Sequence, residues 1–118
     1  MNFKLDNLIT AYRNAAVGHG AAILAGDSKA ANRYHAELAT SLNELKGDHA
    51  KSPLLLMELL DDPNDSVAAW AATHLIRFCT DKSVTTLKRI GEKDDLIAFD
   101  AAMVLEEWEK GRFSGEEW

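Results

Sequence analysis

The sequence predicts an all-α protein, six helices paired as three antiparallel hairpins, and three observations carry that prediction. Residues 53–79 and 83–109 repeat one apolar pattern at a constant offset of 30, without a gap. Apolar side chains recur at helical intervals along the chain, and the alternation that strands need is missing. Gly, Pro, Asp and Asn fall where helices have to start and stop. A repeat unit of this length cannot bury its own apolar face, so copies stack and share a core.

The first helix, about residues 3–25, lines up Leu5, Leu8, Ile9, Tyr12, Ala16, His19 and Ile23 on one stripe. Gly26 offers a left-handed stop, and Asp27 or Ser28 an N-cap for a second helix over 28–46, which aligns Ala31, Tyr34, Leu38, Leu42 and Leu45 and ends at Gly47. Gly18 and Gly20 sit inside the first helix, where each costs about 1 kcal/mol relative to Ala. Close packing of the second helix against the first explains them better than a hinge that exposes His19.

Ser52-Pro53 reads as an N-cap followed by proline at the first helical position, opening a third helix that runs to Leu60. Asp61-Asp62-Pro63-Asn64-Asp65 is a tight turn, because proline cannot continue a helix and disfavours helical geometry at Asp62. Asn64 or Asp65 then caps a fourth helix over 65–79. A fifth helix over 82–90, the turn Gly91-Glu92-Lys93-Asp94 and a sixth helix to Lys110 complete the second copy. Positions apolar in both copies are the expected core: 54/84, 57/87, 60/90, 67/97, 71/101 and 75/105.

The length of 118 residues suits one domain, 1–118, with an N-terminal helical hairpin (1–47), two repeats (52–110) and a tail (111–118). Apolar runs such as Leu54 to Met57 are far short of a membrane span, and no secretory signal is visible at the start. A single cysteine, Cys79, excludes an internal disulfide and fits a reducing compartment, so a cytoplasmic location is expected. Residues 1–50 hold five Lys/Arg and five Asp/Glu, whereas residues 51–118 hold eight and fourteen, so the whole net charge of −6 lies in the repeat half. That balance argues against nucleic acid and anionic membranes, and favours a basic partner or simple solubility.

The stretch Leu59-Leu60-Asp61-Asp62-Pro63-Asn64-Asp65-Ser66-Val67-Ala68-Ala69-Trp70-Ala71-Ala72 resembles a HEAT repeat: a Leu-rich first helix, an acidic Pro-containing turn, then Val and small residues on the second helix. Ile90 to Ala102 is a second copy without the proline, and the resemblance covers residues 52–110. Ala68 and Ala98 stand where such repeats usually carry Arg, so the resemblance does not bring with it an Asp–Arg ladder between repeats. The layout is also similar to that of small bacterial HEAT-like domains of unknown function. The resemblance implies a right-handed α-solenoid that binds protein on the surface of its second helices. HEAT-like enzymes exist as well, so fold alone does not settle function.

Comparing the copies singles out positions that change character. Trp70 corresponds to Asp100, His74 to Val104 and Arg77 to Glu107. Trp70, Thr73 and Arg77 share one face of the fourth helix with His74 beside them, and Asp100, Met103 and Glu107 form the equivalent face of the sixth. An aromatic and an arginine on an exposed face are the composition of an interaction hot spot; the competing reading packs Trp70 against the N-terminal hairpin. His19, His35, His49 and His74 show no metal-ligand spacing, and no pattern assigns a catalytic residue or a cofactor. Asp61, Asp62 and Asp65 read as turn and cap residues, Cys79 as a small core residue, and Phe113 as an apolar contact folding back after Gly111.

The expected function is therefore a non-enzymatic, protein-binding module of bacterial origin, a small acidic adaptor or toxin-neutralising protein using the face of Trp70, Thr73, His74, Arg77, Asp100, Met103 and Glu107. One rival is an enzyme or ligand carrier with a groove between the N-terminal hairpin and the repeats, using Tyr34, His35, His74 and Asp100. The other is a structural homodimer that covers the apolar end of the stack.

Overall fold

The computed structural model describes residues 3–47 and 51–113. Six α-helices follow in chain order: α1 (Phe3–Ala25), α2 (Ser28–Lys46), α3 (Ser52–Glu58), α4 (Asp65–His74), α5 (Thr80–Gly91) and α6 (Leu96–Glu109). Among the described residues there is no strand, and a single 3₁₀ turn, Leu59–Asp61, tightens the end of α3.

The punctuation read in the sequence sets most helix ends. Gly26 takes φ +71°, the left-handed geometry that closes α1. Asp27 caps α2 by accepting from the Ala30 amide at 3.0 Å, Asn64 caps α4 through the Val67 amide, and Asp95 caps α6 through the Ala98 amide. Gly47 ends α2 in right-handed geometry instead. Asp65 is freed from capping and accepts an ion pair from Lys93 Nζ at 2.8 Å.

Three expectations change. Ser52 is fully buried inside α3, and Lys51 holds the N-cap position without a side-chain bond. Leu54 is 59% exposed, because the inward stripe of this short helix runs through Pro53, Leu56, Leu59 and Leu60. Helix α4 ends at His74 rather than near residue 79; residues 75–78 leave the helical path as turns while Leu75 and Ile76 stay buried.

The core joins α1 and α2 (Tyr12, Leu38, Leu42, Leu45) to the repeats (Val67, Ala71, Leu75, Leu87, Ile90). Helix α1 approaches α4 closely: a Cβ on Gly20 would lie 2.4 Å from Ser66 Cβ, and the Ser66 hydroxyl donates to the Ala16 carbonyl at 2.7 Å. A Cβ on Gly18 would meet the Tyr34 ring of α2 at the same distance, so the two glycines serve close packing within an unbroken helix. Arg13 makes a two-pronged bond to Asp62 (2.7 and 3.0 Å), tying α1 to the turn before α4. The two copies are joined by Lys93–Asp65 and by Arg89, which donates to the Leu60 carbonyl at 3.2 Å. The radius of gyration, 13.4 Å, is what a globule of this length has, about 13.5 Å, so the repeats are folded against α1 and α2 rather than drawn out. No described helix is long and apolar enough to cross a membrane.

Candidate functional site

Helix α4 turns its Trp70 edge toward α1, because its cap at Asn64 and the Ser66–Ala16 bond fix how it lies there. The Trp70 indole N–H donates to His19 Nδ1 at 3.3 Å, so Trp70 packs against the N-terminal hairpin, the competing reading of that residue. Three imidazoles surround this indole: His19 edge-on at 5.1 Å, His74 at 5.3 Å and His35 at 5.6 Å between ring centroids.

His74 is a core residue, only 4% exposed, and this corrects its placement on an open face. Its Nδ1 lies 2.6 Å from the hydroxyl of Tyr12, which is itself fully buried. Burial lowers the His74 imidazole to about 3, with Lys46 and His35 adding to the effect, and burial raises the Tyr12 phenol. Both groups are therefore neutral at pH 7, and the phenol donates to the bare Nδ1 when the imidazole carries its proton on Nε2.

Above this pair runs a trench between the N-terminal hairpin and the α4/α6 side. One part, about 400 Å³, is walled by His19, Ile23, His35, Trp70, Asp100 and Met103. A second part, about 340 Å³, continues past Trp70 and Met103 to Glu107 and Phe113, with His74 at its floor. Thr73 lines both parts while its hydroxyl donates to the Ala69 carbonyl at 2.7 Å. Burial raises the Asp100 carboxyl, with His19 opposing; the His19 imidazole is lowered mainly by burial and further by His35. Glu107 accepts from Nε and Nη2 of Arg112, each at 3.2 Å.

Of the residues expected on one face, all but Arg77 line this trench. Helix α4 ends three residues before Arg77, so the helical spacing from Trp70 does not extend to it. Its guanidinium sits 5.8 Å over the Trp108 ring and donates to the Phe113 carbonyl at 3.5 Å, helping to close the end of α6. Phe113 folds back on Trp108 (centroids 6.1 Å apart) after Gly111 at φ +71°, as expected. Of the rival polar set, His35 and Asp100 line the trench and His74 lies beneath it, whereas Tyr34 sits on the other side of α2 under Arg33.

His19 and Ile23 complete the wall, and sequence reasoning did not assign them to a site. Their signal was present, since both end the inward stripe of α1; what that end meets is set by α4 and α6. Among the described residues no group of His, Cys, Asp and Glu has metal-binding geometry. The reading offered for His49 falls outside the described residues.

The sequence matches no family model and no curated protein. The fold is similar to that in the crystal structure of the protein RPA1889 from Rhodopseudomonas palustris CGA009, with a TM-score of 0.85 at 24% identity over 98% of this chain and 96% of that one.

Proposed function

We propose that this chain is a protein-binding module of the HEAT-like α-solenoid type, which receives a partner in the trench along α4 and α6. The observation that carries the reading is the state of α6. Its inner positions Ala98 and Ala101 are buried, yet Leu96 (53%), Phe99 (60%) and Met103 (47%) stay exposed along its outer side. These three fall at i, i+3 and i+7, so one stripe of the helix bears large apolar side chains and faces water. An apolar stripe beside a concave, apolar-walled trench is the usual make-up of a site for another protein. The trench is open along its length, which suits a chain segment better than an enclosed small molecule.

A photo-crosslinking amino acid in place of Met103, and separately of Leu96, tests the reading in cells of the source. The same protein is expected to crosslink from both positions and not from Lys82 on α5. Crosslinking from Lys82 alone, or equally from all three, removes the trench as the binding face.

A further inference from the structure

We infer that the trench takes a segment of another protein that is apolar on one side and carries a Lys or Arg placed to meet Asp100. This rests on the protein-binding reading above and adds the chemistry of the partner.

Three concavities lie in series along α6. The two parts already described are continued at the start of the helix by a third of about 300 Å³ between the end of α1 and Leu96, Phe99 and Asp100. It shares Ile23 and Asp100 with its neighbour, so the trench is continuous from Leu96 to Glu107. The eleven steps of α-helix from Leu96 to Glu107 rise about 16 Å, enough to seat roughly three turns of a docked helix.

The ionic lining of this trench has one sign. Asp27, Asp100 and Glu107 line it, and among the described residues no Lys or Arg does. The three carboxylates are not equivalent. Asp27 is used as the cap of α2 and Glu107 is held by Arg112, whereas Asp100 has no hydrogen bond or ion pair with another described residue. Among the described residues the charged influence on it is His19, whose imidazole is neutral at pH 7 because burial holds it low. A carboxylate beside apolar walls, with its own cation missing, attracts a cation from a partner.

The same charges disfavour a second copy of this chain. Two α6 helices laid face to face would bring Asp100, Glu106 and Glu107 of each against those of the other, with Lys110 already paired to Glu106. Like charges set opposite each other oppose association.

The probes are two synthetic 14-residue peptides with Leu at helical spacing, one filled with Lys and the other with Glu, titrated into ¹⁵N-labelled protein. The Leu/Lys peptide is expected to shift the Trp70 indole and the amides of Asp100 and Met103, and to bind at least tenfold tighter than the Leu/Glu peptide. Asp100→Lys should weaken it at least tenfold and Asp100→Asn about threefold, with folding checked by circular dichroism. Met103→Glu, which leaves Asp100 in place, should also weaken it. Equal binding of the two peptides, shifts confined to other faces, or indifference to Asp100→Lys would overturn the proposal. So would a concentration-dependent dimer in sedimentation that the Leu/Lys peptide cannot dissociate. A partner crosslinked from Met103 but contacting Asp100 through no basic residue ends this inference and leaves the binding reading standing. No crosslinked partner together with a peptide bound elsewhere ends both.

Discussion

Gly20 decides how near α1 and α4 can come, and its neighbour across the gap is the first carbon of the Ser66 side chain, which has no freedom to move aside. Gly20→Ala should lower unfolding free energy by about 1–3 kcal/mol, the usual cost of overpacking, despite a helix-propensity gain of about 1 kcal/mol. Urea denaturation reads the change, and Ser66→Gly in the same chain should recover part of it. His74 makes stability depend on pH. Its value when folded, about 3, lies below the ordinary 6.5, so the unfolded chain binds the extra proton between these limits. Stability should rise with pH across that window, by up to about 1.4 kcal/mol per pH unit, and level off above it. His19 is lowered too and adds in the same sense. The double variant Tyr12→Phe/His74→Leu removes both members of the buried pair and should flatten the curve between about pH 5 and 6.5; an unchanged slope would mean His74 is not the source. Tyr12 was legible on the inward stripe of α1, whereas the burial of His74 was not. His74 aligns with a valine in the other copy and so looks variable, while its partner Tyr12 is distant in the chain and met only once α1 lies on α4.

At the scale of the element, the side-chain-capped starts were legible and the ends less so. Asp27, Asn64 and Asp95 announce α2, α4 and α6 because a cap needs a short acceptor just ahead of an apolar run. The end of α4 was hidden, since Leu75 and Ile76 keep helical spacing and burial after the backbone has turned away. Arg77 was misplaced for that reason alone. The turn ahead of α4 is held from outside by Arg13, whose hydrogen bonds and charge keep Asp62 below the usual carboxylate range. A lowered carboxylate contributes stability above its unfolded value, and that contribution is lost as pH falls below about 4 toward the lower, folded value. Arg13 is 40% exposed and water screens the pair, so Asp62→Asn should cost only about 1 kcal/mol at pH 7. The loss should shrink as pH falls toward the folded value of Asp62 and wild type comes to carry the same charge as the variant; a difference that persists in acid would point to the bond with the Asn64 amide instead.

Taken as a whole, the molecule is two repeats with one flank covered by α1 and α2 and the other left open at α6. The all-helical class was readable from the period of the apolar residues. How α1 and α2 dock was not, because their inward stripes show which residues are buried and not which helix buries them. The trench is a product of that docking, so Asp100, Met103 and Glu107 were visible as an α6 face while His19 and Ile23 were not visible as its opposite wall. The open flank should be dispensable to folding. Phe99→Lys and Met103→Lys should each leave unfolding free energy within about 0.5 kcal/mol of wild type, as surface changes do, while abolishing crosslinking from Leu96. A loss of several kcal/mol would mean that this side is core in solution, covered by a second copy.

The ring of imidazoles around Trp70 has an optical consequence. A protonated imidazole accepts an electron from an excited indole and quenches its emission, whereas a neutral one does so far less. Trp70, hydrogen-bonded to His19 with His74 near its ring, should therefore dim on acidification as His19 and then His74 charge. The Trp70→Phe variant should lose that pH-dependent component and keep the emission of the remaining tryptophans. A segment seated in the trench would strip water from the same indole and move its emission to shorter wavelength. Trp70 would thus report occupancy of the trench without an added label.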